Sequence, residues 1–203
     1  MADLEEFCCD VSKNTKPIYV FGDVMLDVDH DGKSTRLSPE APVPVFVNSV
    51  TTKTLGGAGN VAANLKKLGH KVNLSSIIGD DDAGDVVLSL LNDLRINASR
   101  IVKYDTVTTV KERYRVTNHQ LMRVDSERIL SKTIVDSKSD ILWSGIEQSE
   151  VCVISDYSKG MVNDICRIIK QHKGVKFLVD PKSLEFSDYA GSFLVKPNWK
   201  ELN

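Results

Sequence analysis

Cysteine is scarce in this chain, and its placement carries no pattern. Cys8, Cys9, Cys152 and Cys166 fall into no metal-ligand spacing with His30, His70, His119 and His172, and a four-cysteine framework does not suit a non-secreted chain this long. Zinc and disulfides are not expected. Long apolar runs are also missing, and the longest are far too short to span a bilayer. Residues 1–16, acidic and broken in hydrophobicity, lack the pattern of a secretory signal and read as a loose N-terminal tail. A cytoplasmic protein with no membrane segment is expected. Neither sign of charge is in excess: 26 Lys and Arg face 28 Asp and Glu, a net charge of −2. No global basic field therefore favours nucleic acid or anionic lipid, and any anion site must be local. What remains is an ordinary composition, 41% apolar and 27% charged over 203 residues. That is enough to bury a sizeable core in one domain covering residues 17–203.

The one place where glycines crowd against a convincing helix is Leu55-Gly56-Gly57-Ala58-Gly59-Asn60-Val61-Ala62. Val61, Leu65 and Leu68 recur at helical spacing, and Gly69 is a natural stop. A helix start carries free N–H groups and partial positive charge, and glycines let a ligand approach the backbone. Two readings stand. A polar or anionic ligand sits there, or Gly56 and Gly57 merely supply positive φ to a tight turn that Asn60 caps.

Around it the chain alternates buried strands with helices. Ile18 to Phe21, Val72 to Gly79, Val151 to Ile154 and Val175 to Val179 are short apolar runs, the pattern of strands covered on both faces. Helices are expected through Val86 to Leu94, Ile134 to Ile146 and Val162 to Ile169. This succession predicts an α/β fold with a doubly wound, mostly parallel sheet flanked by helices. Ligands in such sheets bind beyond the carboxyl ends of the strands, so Asp23 and Asp27 are candidates for hydroxyl or metal binding, or else a turn cap and a solvated carboxylate. Asp80-Asp81-Asp82 reads as helix capping rather than a metal site.

Two stretches break the rhythm, about 28–50 and 106–125. In the first, Val43, Val45 and Val47 alternate with other residues while Pro39, Pro42 and Pro44 exclude helix, and antiparallel strands are expected to stand off the main sheet. Arg36 to Pro42 is a stiff polar connection, a lid segment or simply a loop. In the second, Thr117-Asn118-His119-Gln120 is a hairpin turn between two strands. Together they predict a small second sheet whose apolar face needs cover from a ligand or a second subunit, hence a homodimer.

The stretches Phe21 to Asp27, Ser38-Pro39-Glu40-Ala41-Pro42-Val43-Pro44-Val45, Gly56 to Ala62, Gln120 to Asp125, Ser155-Asp156-Tyr157-Ser158-Lys159-Gly160, Asp180-Pro181-Lys182 and Pro197 to Glu201 resemble the ribokinase-like (PfkB) carbohydrate kinases. The Ser38 to Val45 and Ser155 to Gly160 segments resemble the branch that phosphorylates heptose 7-phosphate on the way to ADP-heptose. The resemblance runs from about Ile18 to the last residue. It implies that Asp23, Asp27, Gly56, Gly57 and Asn60 hold sugar hydroxyls, and that the strands around Arg36, Glu40 and Arg123 form a β lid and dimer clasp over the sugar. Lys159 and Lys182, the latter also readable as a plain surface lysine, would meet phosphate charge. Asn198, Trp199, Lys200 and Glu201 would serve the ATP side, with Glu201 acting on Mg²⁺ through water.

The implied reaction is phosphoryl transfer from ATP to a sugar hydroxyl. The family's base is an Asp in a Gly-Ala-Gly-Asp motif that these residues do not contain. The resemblance places that base beyond Asn203, so that no catalytic base is expected within these residues. It therefore implies an incomplete kinase domain, inactive alone, or a sugar-phosphate-binding protein without catalysis. A third reading is an NAD-dependent oxidoreductase, because residues 57–62 formally fit the Gly-x-Gly-x-x-Gly/Ala fingerprint, with Asp80 at the distance of a ribose acid. Against it, residues 51–56 are expected to separate the fingerprint from any buried strand.

Overall fold

The computed structural model describes residues 16–117, 119–182 and 185–199. The expected N-terminal tail, apart from Lys16, lies outside them. Six strands form one parallel sheet: β1 (Ile18–Gly22), β4 (Val72–Gly79), β5 (Asn97–Tyr104), β8 (Val151–Ser155), β9 (Lys176–Asp180) and β10 (Leu194–Val195), in the order β10-β9-β8-β1-β4-β5. Four more form a second sheet, β2 (Val24–Lys33), β3 (Val47–Gly57), β6 (Thr109–Val116) and β7 (His119–Ser126), in the order β3-β2-β6-β7. The doubly wound expectation holds.

Successive residues of β1 show why. Tyr19 and Phe21 enter one apolar cluster with Leu142, Ile154 and Phe177, whereas Val20 enters another with Leu74, Ala62 and Leu91. A strand buried on both faces needs no polar alternation, which is what the run Ile18 to Phe21 displays. Phe21 stacks on Trp143 with ring centroids 4.1 Å apart, and the Tyr19 hydroxyl donates to the carbonyl of Leu142.

Helix α1 (Ala58–Lys67) starts earlier than the periodicity suggests and buries a different face. Ala58, Gly59, Ala62 and Ala63 are covered, while Leu68 is 71% exposed. Small residues let the helix lie close on the sheet, so the leucines mark its flank. Helix α2 (Asp82–Asp93) is capped by Asp81, whose carboxylate accepts from Gly84 N–H at 2.8 Å. The same carboxylate accepts from the N–H and hydroxyl of buried Thr108 at 2.8 and 2.7 Å. Desolvation opposes these bonds, yet they hold the Asp81 carboxyl below its ordinary range. The acid run is thus structural, as read.

Several expectations need correction. The span 43–46 is not a strand, since it makes one isolated bridge, Leu37 to Pro44, and β3 begins only at Val47. Prolines cannot supply ladder donors there, and the strands lie either side of them. The second sheet is also mixed, because β2 runs parallel to β6. The strand β5 carries no apolar signal, being the half-exposed edge of the sheet. The expected helix over 134–146 breaks into α3 (Lys132–Ser137), α4 (Ser139–Leu142) and a 3-10 turn over Ile146–Gln148. Ser137 and Ser144 turn their hydroxyls onto the carbonyls of Ile134 and Ile141, and Gly145 adopts φ 68°. Such local bonds compete with helix propagation. The helix expected over 162–169 is α5 (Ile165–Gln171), entered through left-handed Asp164.

Residues 51–56 are likewise strand, because β3 runs straight into α1. The dinucleotide reading still fails, for a different reason than the sequence suggests. That strand is antiparallel to β2 and belongs to the second sheet, whereas the fingerprint needs a strand of the parallel sheet. Among the described residues no helix is long and apolar enough to cross a membrane.

The two faces of α1 make a direct comparison. Ala62→Leu should lower unfolding free energy by about 1–3 kcal/mol through overpacking. Leu68→Ala should change it by less than about 0.5 kcal/mol. Urea titration of the two variants measures both, and the reverse order would contradict the assigned face.

Candidate functional site

The parallel sheet reverses its winding between β1 and β8: β4 and β5 extend one way, β9 and β10 the other. A crevice therefore opens beyond Gly22-Asp23 and Ser155-Asp156, where ligands bind in open α/β sheets. The second sheet stands beside it, because β2 begins with only Asp23 between it and the end of β1.

Asp23 lies at the mouth of the crevice and is held by backbone donors. Its side chain is buried, and both oxygens accept backbone N–H groups: Tyr157 at 2.8 Å, Lys159 at 3.2 Å and Met161 at 3.1 Å. Its own N–H donates to Ser155 at 3.1 Å, and its carbonyl accepts from Ala58 at 2.9 Å. The loop 157–161 thus takes three of the roughly four acceptor positions of the Asp23 carboxylate. Burial pushes its carboxyl above the usual range, the three N–H groups pull it back, and Asp156 adds to the rise. Asp156 is itself buried, accepting from the Tyr189 hydroxyl at 2.6 Å and Ser158 N–H at 2.8 Å.

Gly57 closes the same junction. It sits at φ 56°, and a Cβ there would lie 2.2 Å from the Asp23 carbonyl oxygen. Its requirement is to let α1 start against Asp23, so the tight-turn reading is right for this glycine. Gly56 differs, since a Cβ on it would lie 2.5 Å from Oδ2 of Asp27. That carboxylate is half-buried and accepts from Arg113 Nη1 through Oδ1 at 2.8 Å. Asp27 and Asn60 line one cavity of about 430 Å³ together with Thr54, Lys53 and Lys67. Asn60 is exposed on the first turn of α1 and caps nothing. A carboxylate with one oxygen held, plus an amide that both donates and accepts, can pair with the hydroxyls of a polyol.

Arg36 and Glu40 lie on the exposed connection between β2 and β3. Their backbones are held, by Val45 N–H to the Arg36 carbonyl and by Glu40 N–H to Ser38 Oγ, and the structure does not bring their side chains to Asp27. Arg123 does share a sheet face with Asp27, two strands away on β7, and pairs with Asp125 at 2.8 Å. Lys159 reaches the foot of this sheet and pairs with Glu127 at 2.8 Å. With Asp23, Thr109 and Arg128 it lines a narrow cavity of about 10 Å³, room for about one water. Lys182, Asn198 and Trp199 are exposed along the rim formed by the ends of β9 and β10, apart from the Asp27 cavity. Lys200, Glu201 and Asn203 lie outside the described residues. The Mg²⁺ role expected of Glu201 and the base expected beyond Asn203 therefore stand as readings of the resemblance. Among the described residues no three His, Cys, Asp or Glu gather as metal ligands.

The pfkB family of carbohydrate kinases matches residues 15–203. The chain belongs to this family. Similar proteins include the bifunctional protein HldE of Campylobacter fetus, 39% identical over 193 residues, and that of Sulfurimonas denitrificans, 38% identical over 194. These alignments cover 91% and 92% of this chain, and the chain spans 41% of the length of each relative. Among solved structures, Escherichia coli phosphofructokinase-2 in complex with fructose-6-phosphate superposes with a TM-score of 0.71 at 20% identity, covering 93% of this chain and 63% of that one. Arabidopsis thaliana ribokinase complexed with ribose and ATP gives 0.66 at 14% identity, covering 93% and 62%. Both share the ribokinase-like fold.

Within this kinase fold, the residues that sequence reasoning missed are Lys111, Arg113 and Arg115. They alternate along β6 opposite Asp27, Asp29 and Asp31 of β2, and Arg113 and Arg115 pair with these acids at 2.8 and 2.9 Å. The signal was available. Two strand-like runs carrying opposite charges at period two are a cross-strand pairing pattern.

Asp23 yields a pH prediction. Its folded-state carboxyl titrates above the unfolded one, near pH 4. The contribution is therefore full below that pH and is lost as pH rises through the raised value. Asp23→Asn removes this component, so its unfolding free energy should vary less than wild type from about pH 4 upward. It should also be less stable at low pH by about 1–3 kcal/mol, since an amide cannot accept from all three N–H groups. Denaturant unfolding across a pH series tests this, and parallel curves would refute it.

Proposed function

We propose that the chain forms the acceptor half of an ATP-dependent sugar kinase whose substrate is a heptose 7-phosphate, phosphorylated at its anomeric hydroxyl in ADP-heptose synthesis. The observation that carries this reading is the joint placement of Asp27, Gly56 and Asn60: Asp27 and Asn60 line one cavity, and Gly56 leaves room against Oδ2 of Asp27. The HldE relatives and the segments Ser38 to Val45 and Ser155 to Gly160 support the heptose branch over other sugars.

In the proposed reaction the acceptor oxygen forms a bond to the γ-phosphorus of ATP while the bond to the ADP oxygen breaks, and the acceptor proton passes to a base. Asp27 and Asn60 fix the sugar hydroxyls, which supplies orientation. Lys159, carried by the Asp23-anchored loop, and Lys182 on the sheet rim offer positive charge for the spreading phosphoryl charge. Mg²⁺ enters with the nucleotide and keeps much of its water. No Gly-Ala-Gly-Asp occurs in the 203 residues, so transfer belongs to a whole kinase and this chain alone is expected to show little or none.

A second copy is the proposed cover for the far side of the second sheet, where Met122 and Val124 are exposed opposite Tyr114 and Glu112.

Calorimetry with D-glycero-D-manno-heptose 7-phosphate tests the acceptor site. Binding is expected, and Asp27→Asn should weaken it at least about tenfold, roughly 1.4 kcal/mol. Absence of sugar binding by the folded chain would overturn the reading. Rapid ATP-dependent transfer by these residues alone would overturn the assignment of the base elsewhere.

A further inference from the structure

A second carboxylate shares with Asp23 the work of holding the loop 157–161. Asp156, buried just beyond the carboxyl end of β8, accepts Ser158 N–H at 2.8 Å through Oδ1 and the Tyr189 hydroxyl at 2.6 Å through Oδ2. The amides of the loop are thus divided between two acids: those of Tyr157, Lys159 and Met161 donate to Asp23, and that of Ser158 donates to Asp156. At this division Ser158 adopts φ 56°. Such a left-handed conformation costs a residue with a side chain about 1–3 kcal/mol and persists only where the surroundings enforce it.

Tyr189 comes from a different part of the chain. It ends the 3-10 turn Phe186–Tyr189, which follows β9 and Lys182, and its side chain is buried. Asp156 N–H also donates, at 3.0 Å, to the carbonyl of Asp180, the last residue of β9. One residue therefore joins the loop after β8 to the segment after β9, by its backbone and by its side chain. These are the two segments that carry Lys159 and Lys182. An O–H to carboxylate bond of 2.6 Å in a buried place lies in the strong, charge-assisted range, and deleting the donor leaves a buried oxygen unpaired.

We propose that Tyr189 is a positioning residue: through Asp156 it locks the Lys159 loop to the Lys182 segment, so that the two ammonium groups meet one phosphate chain together. This rests on the reading above in which both lysines meet phosphoryl charge, and it adds the device that sets them. Tyr189 itself touches no ligand in this scheme. Asp23 and Asp156 stand at the ends of adjoining strands, and the Tyr189 hydroxyl is the one side-chain donor to the pair among the described residues. The remaining donors are backbone N–H groups of the loop itself, so the hydroxyl is what ties the loop to an element outside it. Lys159 also pairs with Glu127 at 2.8 Å, and a phosphate must compete with that carboxylate for the ammonium. A loop held at a fixed height lets it do so without first ordering the backbone.

Calorimetry with inorganic pyrophosphate on the full chain tests the latch. Wild type is expected to bind. Tyr189→Phe, which removes only the hydroxyl, should weaken binding at least about threefold, whereas in a Lys159→Met background it should have no effect, because the ammonium it positions is gone. A merely structural role would lower affinity by the same factor in both backgrounds and would overturn the proposal, as would unchanged affinity in folded Tyr189→Phe. Lys182 keeps binding measurable in Lys159→Met, and complete loss there would show that Lys182 takes no part and overturn the paired arrangement. Asp156→Asn, which keeps an acceptor but removes the charge, gives the same comparison should Tyr189→Phe unfold. If wild type does not bind pyrophosphate, the assignment of the lysines to phosphate fails and takes the latch with it, while the acceptor reading at Asp27 is decided by its own sugar titration.

Discussion

The Asp23 carboxylate is the contact on which the rest of the structure depends. One residue at the end of β1 touches three further elements: its N–H bonds the end of β8, its carbonyl receives the first N–H of α1, and its side chain gathers three N–H groups from the loop 157–161. A carboxylate has acceptor capacity for about four bonds and no donor of its own, so it suits a loop that offers only N–H groups. Burying such a charge is costly, and the cost is offset only while all three donors stay in place. The loop is therefore fixed or lost as a unit. Because Lys159 is one of the donors, its ammonium inherits the position that Asp23 sets through the backbone.

The second sheet solves a different problem. Standing off the parallel sheet, it cannot bury both faces, and one of them carries Asp27, Asp29 and Asp31 against Lys111, Arg113 and Arg115. Exposed pairs of this kind contribute little to stability individually. Their value lies in register. A slip of one residue between β2 and β6 would move every charge to the opposite face and place Val28, His30 and their neighbours where the acids stand. Apolar packing alone would allow such a slip more readily, and Asp27 would then point away from the cavity it lines with Asn60.

The parallel sheet is legible in the sequence because its central strands are apolar on both faces and need no period to be recognised. The second sheet is legible only in outline. Prolines at 39, 42 and 44 draw attention to a segment that forms one bridge, while the strands around it carry polar and charged residues whose pattern shows only when β2 and β6 are laid side by side. Helix α1 is visible through Val61, Leu65 and Leu68, yet its buried face is alanine and glycine, which leave a weak hydrophobic signal. At the site, Asp27, Gly56 and Asn60 lie together, and their closeness in sequence to one strand and one helix start makes that placement readable. The structural part of Asp23 is not readable, because nothing in a sequence shows that a loop more than a hundred residues later will donate to its oxygens.

These differences divide the glycine-rich junction into two functions that the sequence presents as one. Gly57 serves the scaffold: its positive φ and its closeness to the Asp23 carbonyl leave no room for a side chain, and α1 could not begin there otherwise. Gly56 serves Asp27: a side chain on it would strike Oδ2 of that carboxylate. A Cβ on Gly56 and one on Gly57 would meet different groups, so a pair of small residues satisfies both constraints where a single one could not. The double glycine thus ties the surroundings of the Asp27 carboxylate to the same backbone that Asp23 locks.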